Sequence, residues 1–95
     1  MSAYLIVKLK FHDLGWTSDY LANVPAILRR YGGEYLDRGT KIARFEGTAT
    51  TPDHVTILTF PSLDSISDFI NSPDYAPFRD ARIAGAESDI LAFET

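Results

Sequence analysis

Leu5, Val7, Leu9 and Phe11 recur at every second position, the period of a strand with one buried face. The positions between them, Tyr4, Ile6, Lys8 and Lys10, are apolar at one end and cationic at the other. Residues 12–15, HDLG, read as a turn. The period then becomes helical: Tyr20, Val24, Ile27, Leu28 and Tyr31 fall at i, i+4, i+7, i+8 and i+11. Thr17 or Ser18 is the expected cap, because a side-chain oxygen accepts from a first-turn N–H that has no helical partner. Pro25 lies inside the run and lacks an N–H, so a bend or a late start is expected there. Arg29 and Arg30 suit the carbonyl end of the helix dipole. Gly32-Gly33 then ends the helix, since glycine reaches the left-handed conformation without a Cβ clash.

The second half of the chain repeats the alternation of element types. Residues 34–47, EYLDRGTKIARFEG, predict a long strand broken near Gly39, and residues 48–53, TATTPD, a polar turn. Residues 54–60, HVTILTF, are rich in β-branched side chains with apolar positions on both faces, which marks a central strand. Ser62 is the expected cap of a helix whose buried stripe is Leu63, Ile66, Phe69 and Ile70. Asn71-Ser72-Pro73 breaks it. A further helical segment runs from Asp74 to about Ala84 with Tyr75, Phe78 and Arg82, and residues 88–94 form the last strand, with Leu91 and Phe93 on one face. The order β-α-β-β-α-β is the split βαβ, or ferredoxin-like, arrangement of the α+β class. It implies a four-stranded antiparallel sheet with both helices on one face. The other face carries Tyr4 and Ile6, with either Leu58 and Phe60 or Val55 and Ile57. Four strands at about 4.8 Å spacing and about 20 Å length present roughly 400 Å². An apolar patch of that size is near the upper limit for a soluble monomer. Stacking two such faces about a twofold axis removes it, so a homodimer is expected.

Composition narrows the field further. Ninety-five residues, 1–95, are enough for one domain and too few for a second core. Asp plus Glu outnumber Lys plus Arg by 13 to 9, a net charge of −4 that disfavours nucleic acid as a partner. Cysteine is absent, which removes disulfides, thiolate catalysis and thiolate metal sites. Only Ala3–Val7 form an unbroken apolar run before Lys8, too short for a signal segment or a membrane span, so a cytoplasmic protein is expected. No glycine-rich phosphate loop, GxSxG elbow or HExxH motif occurs.

Several short motifs, in order, carry a family resemblance. They are Tyr31-Gly32-Gly33 after the first helix, Arg38-Gly39 in the second strand, Glu46-Gly47 at its end and Phe60-Pro61-Ser62 after the third strand. Asn71-Ser72-Pro73-Asp74-Tyr75 and Arg82 follow the second helix. Over about residues 4–94 the chain resembles the uncharacterised bacterial proteins of domain of unknown function (DUF) family 1330, in the dimeric α/β-barrel superfamily. The resemblance implies two ferredoxin-like subunits packed sheet to sheet. That superfamily includes cofactor-free oxygenases, lactone isomerases, dechlorinating enzymes and ligand-sensing domains, and a fold so widely shared selects none of them. His54 stands where the family pattern usually has a cation.

The charged residues at family-like positions are Arg38, Glu46 and Arg82. A guanidinium on a strand or helix that borders a lumen holds a carboxylate or enolate through paired hydrogen bonds. This assigns ligand binding to Arg38, Arg82 and Tyr75. A carboxylate in a poorly solvated pocket acts as a general base, and a histidine moves protons near neutral pH, which assigns catalysis to Glu46 and His54. The competing account pairs Arg38 with Glu46 as a structural salt bridge, or leaves Glu46 facing solvent at the strand end, and treats His54 as a strand-end or interface residue. His12 and His54, 42 positions apart with no organised carboxylates, make no metal site, and no cofactor is expected. Two functions stay open at this point. One is a cofactor-independent enzyme acting on a small apolar or acidic metabolite, and the other is a non-catalytic small-ligand-binding or interaction module. A cavity of roughly 300 Å³ or more with Arg and Glu converging would favour the enzyme.

Overall fold

The computed structural model describes residues 2–95. Its elements are β1 (Ala3–Phe11), α1 (Thr17–Arg30), β2 (Glu34–Gly39), β3 (His54–Phe60), α2 (Leu63–Ile70), α3 (Ala76–Gly85) and β4 (Ala86–Glu94). The strands form one antiparallel sheet in the order β2-β3-β1-β4. This is the ferredoxin-like topology, with the helices on one face. β1 is central and pairs along its length with both β3 and β4, so Ile6 faces Ile57 on one side and Leu91 on the other.

The strand alternation decides what each face becomes. Ala3, Leu5, Leu58 and Phe60 turn toward the helices and are buried with Val24, Ile27 and Leu28 of α1, Ile66 and Phe69 of α2, and Tyr75. Ile6, Val55, Ile57, Leu91 and Phe93 turn the other way. Of the two registers open for β3, the one that puts Val55 and Ile57 on the uncovered face is observed, and Leu58 and Phe60 are core. Phe93 stacks on Tyr4 there with ring centroids 5.1 Å apart, and Leu91 and Phe93 are half exposed.

Three local expectations change. α1 runs through Pro25 without interruption. The carbonyl left without that N–H belongs to Leu21, whose side chain is exposed. Thr17 is the first residue of α1 and caps nothing. Its hydroxyl donates backward to the Leu14 carbonyl at 2.7 Å. The long second strand also stops at Gly39, and residues 40–53 have no regular structure. The cause is the partner: Gly39 already pairs with Val55, and β3 begins at His54, so nothing remains for residues 40–47 to pair with. Phe45 is consequently almost fully exposed.

Two glycines close α1 for different reasons. Gly33 N–H reaches back to the Leu28 carbonyl and Gly32 N–H to the Arg29 carbonyl, a six-to-one and five-to-two closure around the left-handed Gly32 (φ +82°). Gly33 does not need positive φ. Instead it is buried against Phe60, where a Cβ would sit 2.6 Å from Cζ of that ring. Gly33→Ala is therefore expected to lower stability by about 1–3 kcal/mol through overpacking, and Gly32→Ala by about 1 kcal/mol or more through backbone strain. Thermal or urea unfolding checks both, and wild-type midpoints for the pair would remove this account of the helix end.

Candidate ligand-binding site

A cavity of about 170 Å³ lies between the sheet and the helices. Its sheet side is Leu5, Val7 and Leu9 of β1, Thr56 and Leu58 of β3, and Ile90 of β4. The helix side brings Trp16, Tyr20, Phe69, Tyr75 and Arg82. The alternation in β1 that predicted a buried face thus also supplies the apolar floor. Trp16 is fixed at one end. Its Nε1 donates to the Asp13 carbonyl at 2.7 Å, and its indole lies flush on Gly85, where a Cβ would overlap the ring.

Arg82 is 4% exposed. Its Nε donates to the Tyr75 hydroxyl at 3.3 Å, and it forms no ion pair among the described residues. No Asp or Glu lines the cavity, while Arg38, Arg82 and His54 all do. In a chain of net charge −4, the ionisable groups that line this largely apolar cavity are thus only basic groups and phenols. Tyr75 owes its position to the turn before it. The Ser72 hydroxyl donates to the Phe69 carbonyl at 2.8 Å and accepts the Tyr75 N–H at 3.2 Å.

Tyr20 completes the cluster, with its hydroxyl 2.6 Å from that of Tyr75. Counting protons is informative. Arg82 Nε–H and two phenol O–H groups share two hydrogen bonds, so whichever phenol donates to the other, one phenol proton has no protein acceptor. The remaining N–H groups of Arg82 also have none among the described residues. Burial, and then the neighbouring Tyr75, push the Tyr20 phenol far above its usual range, so it is a neutral O–H donor at pH 7. The cluster is an array of donors in want of an acceptor.

The opposite edge of the sheet supplies His54 and Arg38. In a regular strand Tyr35 and Arg38, three residues apart, would point to opposite faces. An irregularity between Tyr35 and Asp37 shifts the phase, so that Tyr35 lies opposite Leu58 and Arg38 opposite Thr56, both on the cavity side. Arg38 is exposed at the rim. Partial burial, and then Arg38, hold the His54 imidazole below its ordinary range, so it is neutral at pH 7. Its Nε2 is 3.5 Å from the Thr56 hydroxyl, a long contact that leaves the ring nitrogen available.

The structure therefore brings Arg38, Arg82, Tyr75 and His54 to one cavity and leaves Glu46 out. Glu46 lies exposed in residues 40–53, where its carbonyl accepts from Arg44 Nη1 at 3.4 Å. The strand that was expected to carry it inward ends seven residues earlier, and no salt bridge joins it to Arg38. Tyr20 had been assigned only to the helix stripe. Its spacing is that of a core residue, and nothing in the sequence separates a phenol that packs from one whose hydroxyl meets Tyr75. Among the described residues no group of three or more side chains with metal-ligand chemistry converges, and no helix is long and apolar enough to cross a membrane.

Comparison with solved structures places the fold among known ones. A protein of unknown function from Rhodopseudomonas palustris superposes with a TM-score of 0.82 at 17% identity, covering 99% of this chain and 82% of that one. SnoaB, a cofactor-independent oxygenase from Streptomyces nogalater, gives 0.70 at 16% identity, covering 99% and 92%. A dimeric ferredoxin-like protein of unknown function from Jannaschia sp. CCS1 gives 0.65 at 14% identity, covering each chain completely. At such identities the likeness is one of fold. No curated protein matches the chain. The family model for a domain of unknown function (DUF1330) matches residues 2–95, nearly the whole sequence, and the chain belongs to that family.

Proposed function

We propose that residues 1–95 form one ferredoxin-like domain that works in the cytoplasm as half of a homodimer, and that each subunit takes a small anionic metabolite into the cavity under its helices. The observation that carries this reading is Arg82, a buried guanidinium facing an apolar cavity with no carboxylate beside it. A guanidinium stays protonated in proteins, and here the N–H groups that find no protein acceptor open into the cavity and are not sealed off. A carboxylate or enolate in the cavity would meet them with charge-assisted, two-point hydrogen bonds, with the surplus phenol proton of Tyr20 and Tyr75 as a further donor.

Catalysis in this site is proton transfer without a cofactor. His54 is a neutral imidazole at the cavity wall, and it accepts a proton from an acidic C–H or O–H of the ligand. The electron pair left behind moves onto a ligand oxygen, where Arg82 and the phenols stabilise the developing charge. The cofactor-independent activity in SnoaB's description supports the compatibility of this fold with such chemistry. The base role anticipated for Glu46 passes to His54, because Glu46 does not reach the cavity of its own chain. The second reading, a binding module without turnover, is favoured by three observations: the cavity, at about 170 Å³, is smaller than the roughly 300 Å³ expected of an enzyme site, no Glu converges on it with the arginines, and no carboxylate orients His54, so the imidazole lacks the partner that usually fixes a catalytic base. Turnover of a bound ligand, measured with wild type and His54→Asn, separates the two.

The homodimer follows from the uncovered sheet face, where Tyr4, Ile6, Ile57, Leu91 and Phe93 adjoin. Light scattering at micromolar concentration is expected to give twice the 10.6 kDa subunit mass, and Ile6→Glu is expected to give the subunit mass or loss of folding, because pairing would bury an unpartnered carboxylate. A monomeric wild type across that range would end this part of the reading.

Arg82→Met tests the anion site. Replacing a buried charge that has no counter-ion with an apolar chain of similar length removes its desolvation cost. The variant is therefore expected to melt at or above the wild-type temperature in the absence of ligand and to lose stabilisation by small carboxylates. A variant that melts lower yet still responds to carboxylates would assign Arg82 a packing role only.

The lowered pKa of His54 sets a pH dependence. The unfolded chain takes up this proton near pH 6.5 and the folded chain only at lower pH, so the His54 contribution to stability is intact above pH 6.5 and declines as pH falls below it. Melting temperatures from pH 8 to 5 are expected to fall more steeply for wild type than for His54→Asn. Parallel curves would mean that the imidazole is as free to protonate as in the unfolded chain.

A further inference from the structure

We propose that the ligand of this cavity is a monocyclic aromatic carboxylate. The inference rests on the anion-binding reading above and adds size, shape and ring chemistry to it. Size comes first. The cavity holds about 170 Å³, and an apolar protein cavity on the order of 150 Å³ accommodates benzene. One six-membered ring with one carboxyl group matches the space, and a second fused ring would have to project out of this part-open cavity.

Shape follows from the two layers. The floor is the aliphatic surface of the sheet, with Val7, Leu9, Leu58 and Ile90 contributed by three adjacent strands. The roof is a run of rings from three helical regions. Trp16 meets Tyr20 edge-on at 5.3 Å, Tyr20 meets Tyr75 at 6.1 Å and 70°, and Tyr75 stacks on Phe69 at 4.3 Å. A planar group between an aliphatic floor and an aromatic roof has apolar surface against one face and aromatic surface against the other, where rings contribute contact beyond their buried area. The same run ends at the donor cluster, where Arg82 and the Tyr20–Tyr75 pair lack an acceptor. A carboxylate held in the plane of its ring presents two oxygens to the flat guanidinium while the ring stays in the slot. A phosphate has no ring to fill the remaining apolar volume, and a short aliphatic acid leaves most of it empty.

Trp16 is the only tryptophan in the chain and lines the cavity, so its emission reports occupancy, with titration calorimetry giving stoichiometry. The probes are benzoate, benzamide, cyclohexanecarboxylate, 2-naphthoate, acetate and inorganic phosphate, each added to the wild-type protein. Benzoate is expected to bind one per chain and change Trp16 emission saturably. Benzamide, acetate and phosphate are expected to bind at least tenfold more weakly, and 2-naphthoate and cyclohexanecarboxylate to bind several-fold more weakly than benzoate. Arg82→Met is expected to cut benzoate affinity at least tenfold and to leave benzamide unchanged, with a thermal melt confirming that the variant is folded. The benzoate–benzamide comparison puts the same question to the wild-type protein if that variant does not fold. Equal binding of acetate or phosphate, equal binding of 2-naphthoate, or a preference for cyclohexanecarboxylate would overturn the ring assignment and leave the anion site standing. Equal binding of benzoate and benzamide, or no binding by any anion of the panel, would overturn the anion site and the ring assignment together.

Discussion

One charge without a counter-ion lies at the margin of this molecule's apolar core. Arg82 is 4% exposed and has one protein acceptor, the hydroxyl of Tyr75. That state is tolerable only because the rest of the fold is secured independently of it. Leu5, Leu58, Phe60, Val24, Leu28, Ile66 and Phe69 close a core under α1 and α2, and α3 then lays Arg82 along the margin of that core. Neighbouring groups adapt to the charge without cancelling it. Tyr75 turns its oxygen toward the guanidinium, Tyr20 bonds to Tyr75, and burial pushes the Tyr20 phenol far from ionisation, so it does not neutralise the cation. A protein selected for stability alone would place an apolar side chain at position 82. In the function proposed above, the charge is what links the packing to a ligand.

What the sequence made legible is what depends on local period. The order of elements, the central position of β3, the Ser62 cap (its hydroxyl accepts from Ser65 N–H at 3.1 Å) and the break at Asn71-Ser72-Pro73 all follow from spacing and side-chain chemistry within a few residues. Arg38, Arg82, Tyr75 and His54 were recognisable as candidates because charged or phenolic groups interrupted otherwise apolar elements. Other features depend on a partner far away in sequence and left no local trace. The second strand was drawn too long because its pattern continues through Ile42 and Phe45, while the strand it needs begins only at His54. Glu46 fell out of the site for that reason alone. Tyr20 was hidden by its own regularity. The phase shift that swings Arg38 onto the same side as Tyr35 is a property of pairing with β3, and no residue type at positions 35–38 announces it.

The cavity and the uncovered face share the same strands back to back. In β1, Val7 and Leu9 floor the cavity while Ile6 lies on the uncovered face between Ile57 and Leu91. In β3, Thr56 and Leu58 face the ligand side and Val55 and Ile57 the other. A one-residue slip of either strand would exchange the sets and destroy both surfaces at once. The register is therefore held from both directions: by burial against the helices and, in the assembly argued above, by burial against a second subunit. This is why the central strands carry apolar residues on both faces, a pattern that is superfluous for a lone two-layer domain. It also makes ligand binding and pairing mechanically adjacent without a shared side chain. A change in one surface reaches the other only through the backbone of β1 and β3, the most extensively paired and least compliant part of the molecule. The arrangement accordingly favours two sites that act independently over two sites that are strongly coupled.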